Sequence, residues 1–243
     1  NILDSWCFNT GPEVYATSID FITDSLIAVS YSTLEAVNSS YRDINILAID
    51  TSGQEKWRRT IGEENEYEHA EIIKGFNNRI YLAYRNGNLR LEVRIIAMQG
   101  FDINTKSFPN HNYLYWARNQ EQGDNIFGSL FRGSSSNRDG IGSLNMDPQS
   151  LDIISEQYHT VGTAAIAQNP VLVGETLYFP CGASAGYERS FMLVTDAITG
   201  DSLDIKWFEP EDDSACLFKT IHVLENGQFI LGGYTHEVFP VEP

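Results

Sequence analysis

The chain has 243 residues, 42% of them apolar and 12% aromatic, enough to bury one sizeable core. Its net charge of -17 argues against a nucleic-acid partner, because phosphate binding needs a basic footprint that displaces counterions. No window approaches the roughly 20 consecutive apolar residues that a membrane-spanning helix requires. Asn1 stands almost inside a strand-like run (Ile2, Leu3, Trp6, Cys7, Phe8), so the numbered chain reads as a processed or trimmed product. Cys7, Cys181 and Cys216 are odd in number and far apart, which fits neither a disulfide framework nor a zinc site. They are expected as buried small apolar residues, with one disulfide as the alternative.

In chain order, one unit recurs: an apolar run, a tight polar turn and a second apolar run. It appears as "SIDFITDSLIAVSY" (18–31), "EIIKGFNNRIYLAYR" (71–85), "NPVLVGETLYFPCG" (169–182) and "IHVLENGQFILGGY" (221–234). Each predicts a β-hairpin, its turn built from Asn, Asp, Ser or Gly. A second hairpin follows after a longer connection: "INILAIDTSGQEKW", "VRIIAMQGFDINTKSF", "GIGSLNMDPQSLDII" and "FMLVTDAITGDSLDIKWF". Asp50, Asp102, Asp147 and Asp196 are expected to open these second turns, each bonding its own backbone two residues on. "DTSGQE" offers too few regularly spaced oxygens for a calcium loop.

Two hairpins per period make a four-stranded antiparallel sheet, and radial repetition of such sheets predicts an all-β fold, a β-propeller. Five blades are expected at about 14–62, 67–110, 111–160, 163–209 and 215–243 in one domain spanning 1–243. In the third, "NYLYWARN", "NIFGSLFRG", "GIGSLNM" and "DIISEQY" are its four strands. Residues 1–11 resemble the outer part of a blade and are expected to close the ring by pairing with the last one. Trp6, Trp57 and Trp207 are expected to be aromatics packed between sheets.

Fragments such as "INILAIDTSGQEKWRRTIG" followed by "AEIIK", and "VLENGQFILGGYT", resemble the propeller repeats of secreted and surface proteins of Bacteroidetes-type bacteria, and more broadly the quinoprotein-like repeats. The resemblance implies a binding or spacer module of a secreted or cell-surface protein. It carries over no catalytic residue and no cofactor.

Turns within hairpins belong to one end of each sheet and the longer connections to the other. The longer ones, "STLEAVNSSYRD", "RNGNLR", "RGSSSNRDG" and "ASAGYERS", include among their arginines Arg42, Arg85, Arg132, Arg138 and Arg189, with Tyr41 and Tyr187 beside them. Such loops on a rigid scaffold predict a mouth for carboxylate or sulfate groups of a protein partner or acidic polysaccharide. The competing reading pairs these arginines with the acidic runs "GEENEYEH" (62–69) and "EPEDDS" (209–214) on a solvated rim. Those runs match no established calcium loop, so neither a metal nor a cofactor is expected, with calcium held by their carboxylates as the alternative. The alternative to a binding module is a carbohydrate-active enzyme, a glycoside hydrolase using Asp20 and Glu71 as carboxylates and His69 and His222 as proton carriers. No helix is evident to form a nucleophile elbow.

Overall fold

Runs that are apolar throughout take the middle of a sheet, where both faces are covered, and alternating runs take the rim. The computed structural model describes residues 14–34, 42–62, 69–86, 90–111, 113–117, 125–134, 137–160, 165–167, 169–184, 188–208, 215–224 and 226–236. The regular elements in it are all β-strands, and the chain divides into two compact units, Asn1–Tyr113 and Leu114–Pro243.

The first unit holds two sheets. In one, β1 (Val14–Thr23), β2 (Leu26–Leu34), β3 (Arg42–Asp50) and β4 (Glu55–Ile61) lie in sequential order, and in the other β5 (His69–Phe76), β6 (Arg79–Arg85), β7 (Leu91–Ala97) and β8 (Asp102–Phe108) do the same. Consecutive strands pair antiparallel. Every residue from Ile44 to Ile49 on β3 and from Ile80 to Tyr84 on β6 is buried, whereas the outermost strands β4 and β8 alternate and bury only their last residue fully.

The two sheets meet through a core of Ile22, Ala28, Ile44, Ile46, Ile61, Ile80, Leu82, Tyr84 and Ile96. Fully burying each of the larger side chains is worth about 1.5–3 kcal/mol. Strands β1 and β5 approach so closely that a Cβ on Gly75 would stand 2.0 Å from the Phe21 carbonyl oxygen. Only glycine fits there. The β5–β6 turn places Asn77 (φ 49°) and Asn78 (φ 56°) both in the left-handed region, the two-residue hairpin turn that asparagine tolerates.

The second unit begins with a sheet of β9 (Tyr113–Trp116), β10 (Ile126–Ser134), β11 (Asn137–Met146) and β12 (Ile153–His159), β9 starting at the boundary residue. These fall where the four strands of the irregular third repeat are expected. The next sheet contains β13 (Ala165–Ala167), β14 (Val171–Val173), β15 (Thr176–Ser184), β16 (Glu188–Asp196) and β17 (Ser202–Phe208). Both β13 and β14 pair with β15, so together they form one interrupted first strand. Pro170, which cannot donate to a ladder, lies in the interruption. The last sheet has β18 (Ala215–Val223) and β19 (Phe229–His236), two strands among the described residues. Residues 1–11, expected to complete it, lie outside the described residues.

In four sheets the carbonyl of the residue opening the second turn accepts a turn amide, three residues on in the first two and four in the others, and one turn corrects a sequence expectation. Asp50 Oδ1 accepts from the N–H groups of Ser52 and Gln54 (both 2.9 Å), Asp147 Oδ1 from Gln149 and Ser150 (2.9 and 2.7 Å), and Asp196 Oδ1 from Ile198 and Thr199 (2.9 and 2.8 Å). In the second sheet that position belongs to Ala97, whose carbonyl accepts from Gly100 N (2.9 Å) as that of Asp50 does from Gly53 N (2.9 Å). Asp102 does not open a turn. It begins β8 opposite Ile96, as Glu55 begins β4 opposite Ile49.

One strand-level irregularity recurs at the rim. The residue after the first pair of each outermost strand drops out of register: Lys56 on β4, Ile103 on β8, Ile154 on β12 and Leu203 on β17. A bulge twists the strand and disrupts the template that an exposed edge offers to another chain.

Candidate functional site

The arginine-bearing connections join the second and third strands, at the sheet end opposite the tight turns. Arg42 opens β3 opposite Leu34, and Arg85 closes β6 opposite both Leu91 and His69. Arg138 pairs with Gly133, Arg132 falls in the irregular stretch between Phe131 and Gly133, and Arg189 pairs with Ala183. In four sheets, then, the backbone sets these positions at or next to the strand ends that flank the connection. Tyr41, Tyr187 and the acidic residues of 63–68 and 209–213 lie outside the described residues.

Arg85 has an aromatic partner that the sequence reading missed. Its guanidinium carbon lies 4.6 Å from the ring centroid of Tyr113, a cation–π contact that holds the planar group. The "YLYW" run contained this aromatic, but nothing local linked it to an arginine 28 residues earlier.

Beside Arg85, a polar network anchors the base of the 87–89 connection. Asn86 and Arg90 close on each other, Asn86 N donating to Arg90 O (3.0 Å) and Arg90 N to Asn86 Oδ1 (3.1 Å). Asn86 Nδ2 and Ser107 Oγ donate to Glu92 Oε1 (2.7 and 3.2 Å), and the Tyr84 hydroxyl donates to Glu92 Oε2. Arg94 donates to the Tyr84 oxygen (2.8 Å) and to Asp102 (3.1 Å), and Arg59 of the neighbouring sheet forks onto both oxygens of Asp102 (2.8 and 2.6 Å). Burial first, then the bond to Glu92, pushes the Tyr84 hydroxyl well above its usual range, so its proton stays in place. The network positions side chains.

The four residues weighed for hydrolysis stand in different settings. Asp20 Oδ2 accepts from Gly75 N–H (2.8 Å) and lies 3.1 Å from Lys74 Nζ, tying β1 to β5 at their close approach. His69 is placed opposite Arg85 by register, and Glu71 is the residue that bulges between Ala70 and Ile72. His222 is exposed on β18 opposite Ile230. Among the described residues, no three His, Cys, Asp or Glu side chains gather to hold a metal ion. Cys181 is fully buried, and desolvation raises its thiol pKa far out of the reactive range; Cys7 lies outside the described residues.

At the tight-turn end of the first unit is an open depression of about 640 Å³ lined by Thr23, Ser25, Leu26, Asp50, Lys56, Asn78 and Met98. Asp50 and Lys56 pair across it at 2.7 Å. It draws on four turns far apart in the chain and has no sequence signature.

Two of the expected packing tryptophans diverge. Trp57 on β4 donates from Nε1 to Met98 O (2.5 Å) and its ring lies over Gly100. Trp207 is 48% exposed and meets Phe191 of its own sheet, the rings tilted by 42° with centroids 4.8 Å apart. It therefore does not pack between sheets as expected. Trp6 lies outside the described residues.

No protein-family model matches the chain, and no curated protein matches its sequence. Solved structures do. A protein of unknown function from Bacteroides caccae is 12% identical with a TM-score of 0.59, covering 93% of this chain and 73% of that one. An ACO/RPE65 chimera is 9% identical with a TM-score of 0.58, covering 94% of this chain and 58% of the chimera. A structure from an analysis of two prolyl endopeptidases is 15% identical with a TM-score of 0.52, covering 90% of this chain and 32% of that one. The chain thus spans little more than half of the chimera and about a third of the endopeptidase. At such identities the likeness shows the fold alone, an all-β, β-propeller-like arrangement of antiparallel sheets. Among the described residues no helix is long and apolar enough to cross a membrane.

Proposed function

We propose that this chain is a non-enzymatic recognition or scaffold module of an exported bacterial protein, five-bladed and closed by residues 1–11, which grips a protein or acidic glycan through the long-connection end of its sheets. The observation that carries this reading is the placement of Arg42, Arg85, Arg132, Arg138 and Arg189 at one end of four sheets, beside the connections between second and third strands. Guanidinium groups match carboxylate and sulfate by forked hydrogen bonds. Arg85, stacked on Tyr113, has part of its ordering cost met before a ligand arrives. The bonds of Asp20 to Gly75 and Lys74 give that carboxylate a structural task, which favours binding over hydrolysis.

The test is binding to a sulfated polysaccharide and to polyglutamate over a salt series. The triple variant R42A/R85A/R189A is expected to bind at least about tenfold more weakly than the parent, with a shallower salt dependence. Unchanged affinity in the triple variant, or cleavage of the polysaccharide that D20N abolishes, would overturn the reading.

A further inference from the structure

Strand β17 breaks a rule that the other outermost strands keep. Past the bulge, the positions on the face away from Trp57 and its counterparts are Arg58 and Thr60 on β4, Thr105 and Ser107 on β8, and Glu156 and the part-buried Tyr158 on β12, none of them aliphatic. On β17 the same two positions hold Ile205 and Trp207, 37% and 48% exposed, preceded by the bulged Leu203 at 59%. Single exposed apolar residues need no explanation, but a contiguous stripe marks an interaction surface. Trp207 is already oriented by its contact with Phe191, so little freedom is lost on docking. Among the described residues, no strand pairs with the outer edge of β17.

The charges on this strand indicate what covers it. Asp204 and Lys206 are both more than half exposed and only 3.8 Å apart. Asp204 also accepts from the N–H of Ile205 (2.8 Å), covering one edge amide with a side chain of its own strand. The segment Leu203-Asp204-Ile205-Lys206-Trp207 is self-complementary when run against itself. With a two-fold axis through Ile205, Asp204 of each copy faces Lys206 of the other and Ile205 meets itself, the bulged Leu203 standing outside this register. An axis moved to Asp204 or Lys206 sets like charges face to face, and an axis between residues sets each charge against an apolar side chain. Opposite charges directly across an antiparallel pair stabilise it and like charges destabilise it.

We propose that β17 is a self-association surface where a second copy of this chain adds antiparallel about a two-fold axis through Ile205. The interface is isologous and closes as a dimer. On pairing, Asp204 leaves its own strand's amide for Lys206 of the second copy, and the Ile205 N–H becomes available to the new strand. One strand edge is smaller than a standard stable interface, and the chain's charge of -17 adds long-range repulsion. The dimer is therefore weak, with a Kd in the micromolar range or above.

Sedimentation velocity on the full chain over about a hundredfold concentration range tests this. The parent should pass from monomer to dimer. D204K and K206D should each stay monomeric, having like charges on both sides of the axis, while far-UV circular dichroism and Tm remain those of the parent. Mixed one to one, the two variants should form a heterodimer, because two ammonium groups then meet two carboxylates. The double variant D204K/K206D should dimerise with a Kd within about threefold of the parent, since it exchanges the pair and keeps its sign. A parent that stays monomeric, a dimer indifferent to either single change, or single variants that fail to complement on mixing would overturn the proposal.

Discussion

Strands β4 and β17 hold the same rank in their sheets and each carries a tryptophan, yet the middle of one is clasped and the middle of the other is exposed. On β4, Trp57 and Arg59 reach into the next sheet and bond to its turn, at Met98 O and Gly100 O. On β17 the residues in those registers are Asp204 and Lys206, both exposed, while Trp207 stands one residue further along and on the opposite face. Neighbouring sheets can also clasp without an aromatic: Ser155 of β12 donates to Ile198 O (2.8 Å) and Ser143 of β11 to Gly200 O (3.2 Å). The difference teaches that the phase of a residue relative to the rim bulge, more than its type, decides whether it joins two sheets.

The widest separation between the two strands is expected from their tryptophans. Trp57→Ala removes a partly buried indole, its hydrogen bond and the surface that Gly100 rests on, and should cost about 3 kcal/mol in urea-midpoint stability. Trp207→Ala should cost about 1 kcal/mol, mostly the lost aromatic contact with Phe191. Equal losses would erase the distinction.

A smaller contrast is expected from the charges. Asp102→Ala removes the carboxylate shared by Arg59 and Arg94, whose side chains are 27% and 20% exposed, and should cost about 1–2 kcal/mol. Asp204→Ala, which breaks only an exposed pair, should stay within about 0.5 kcal/mol.

Acid should act on both hairpins, since Asp50 before β4 and Asp196 before β17 each accept two amides of their own turn. Lys56, then Ser52 and Gln54, lower the pKa of Asp50. The Ser150 and Gln149 amides lower that of Asp147, and chiefly the Thr199 amide lowers that of Asp196. A carboxyl with a depressed folded pKa binds fewer protons folded than unfolded. Its contribution is therefore complete above the unfolded value, 3.8, and is lost as pH falls through the folded one. Thermal unfolding followed below about pH 4 should show a shallower acid decline in D147N and D196N than in the parent. Parallel declines would mean that these turns are not where acid acts.

Much of the architecture was legible because its determinants are local. Asn77-Asn78 and Gly227 mark hairpin turns, the runs at 44–49 and 80–84 mark central strands, and the spacing of the turns marks successive sheets. Asp102 was misread because "MQGFD" contains a glycine turn that belongs to Ala97, five residues earlier. Asp20 looked available for chemistry, and its bond to Gly75 joins residues 55 apart. Register places Arg85 at the end of β6 beside a connection, whereas its cation–π contact with Tyr113 joins residues 28 apart and has no local signal.

The sequence by itself determined which segments are strands, which are turns and in what order they pair, since alternation, turn chemistry and apolar runs act over a few residues. Tertiary structure alone decided which outer-strand side chains are enclosed. A one-residue bulge reverses the facing of everything beyond it, and whether that face meets a neighbouring sheet or solvent depends on groups tens of residues away. Trp57 and Trp207 differ for that reason.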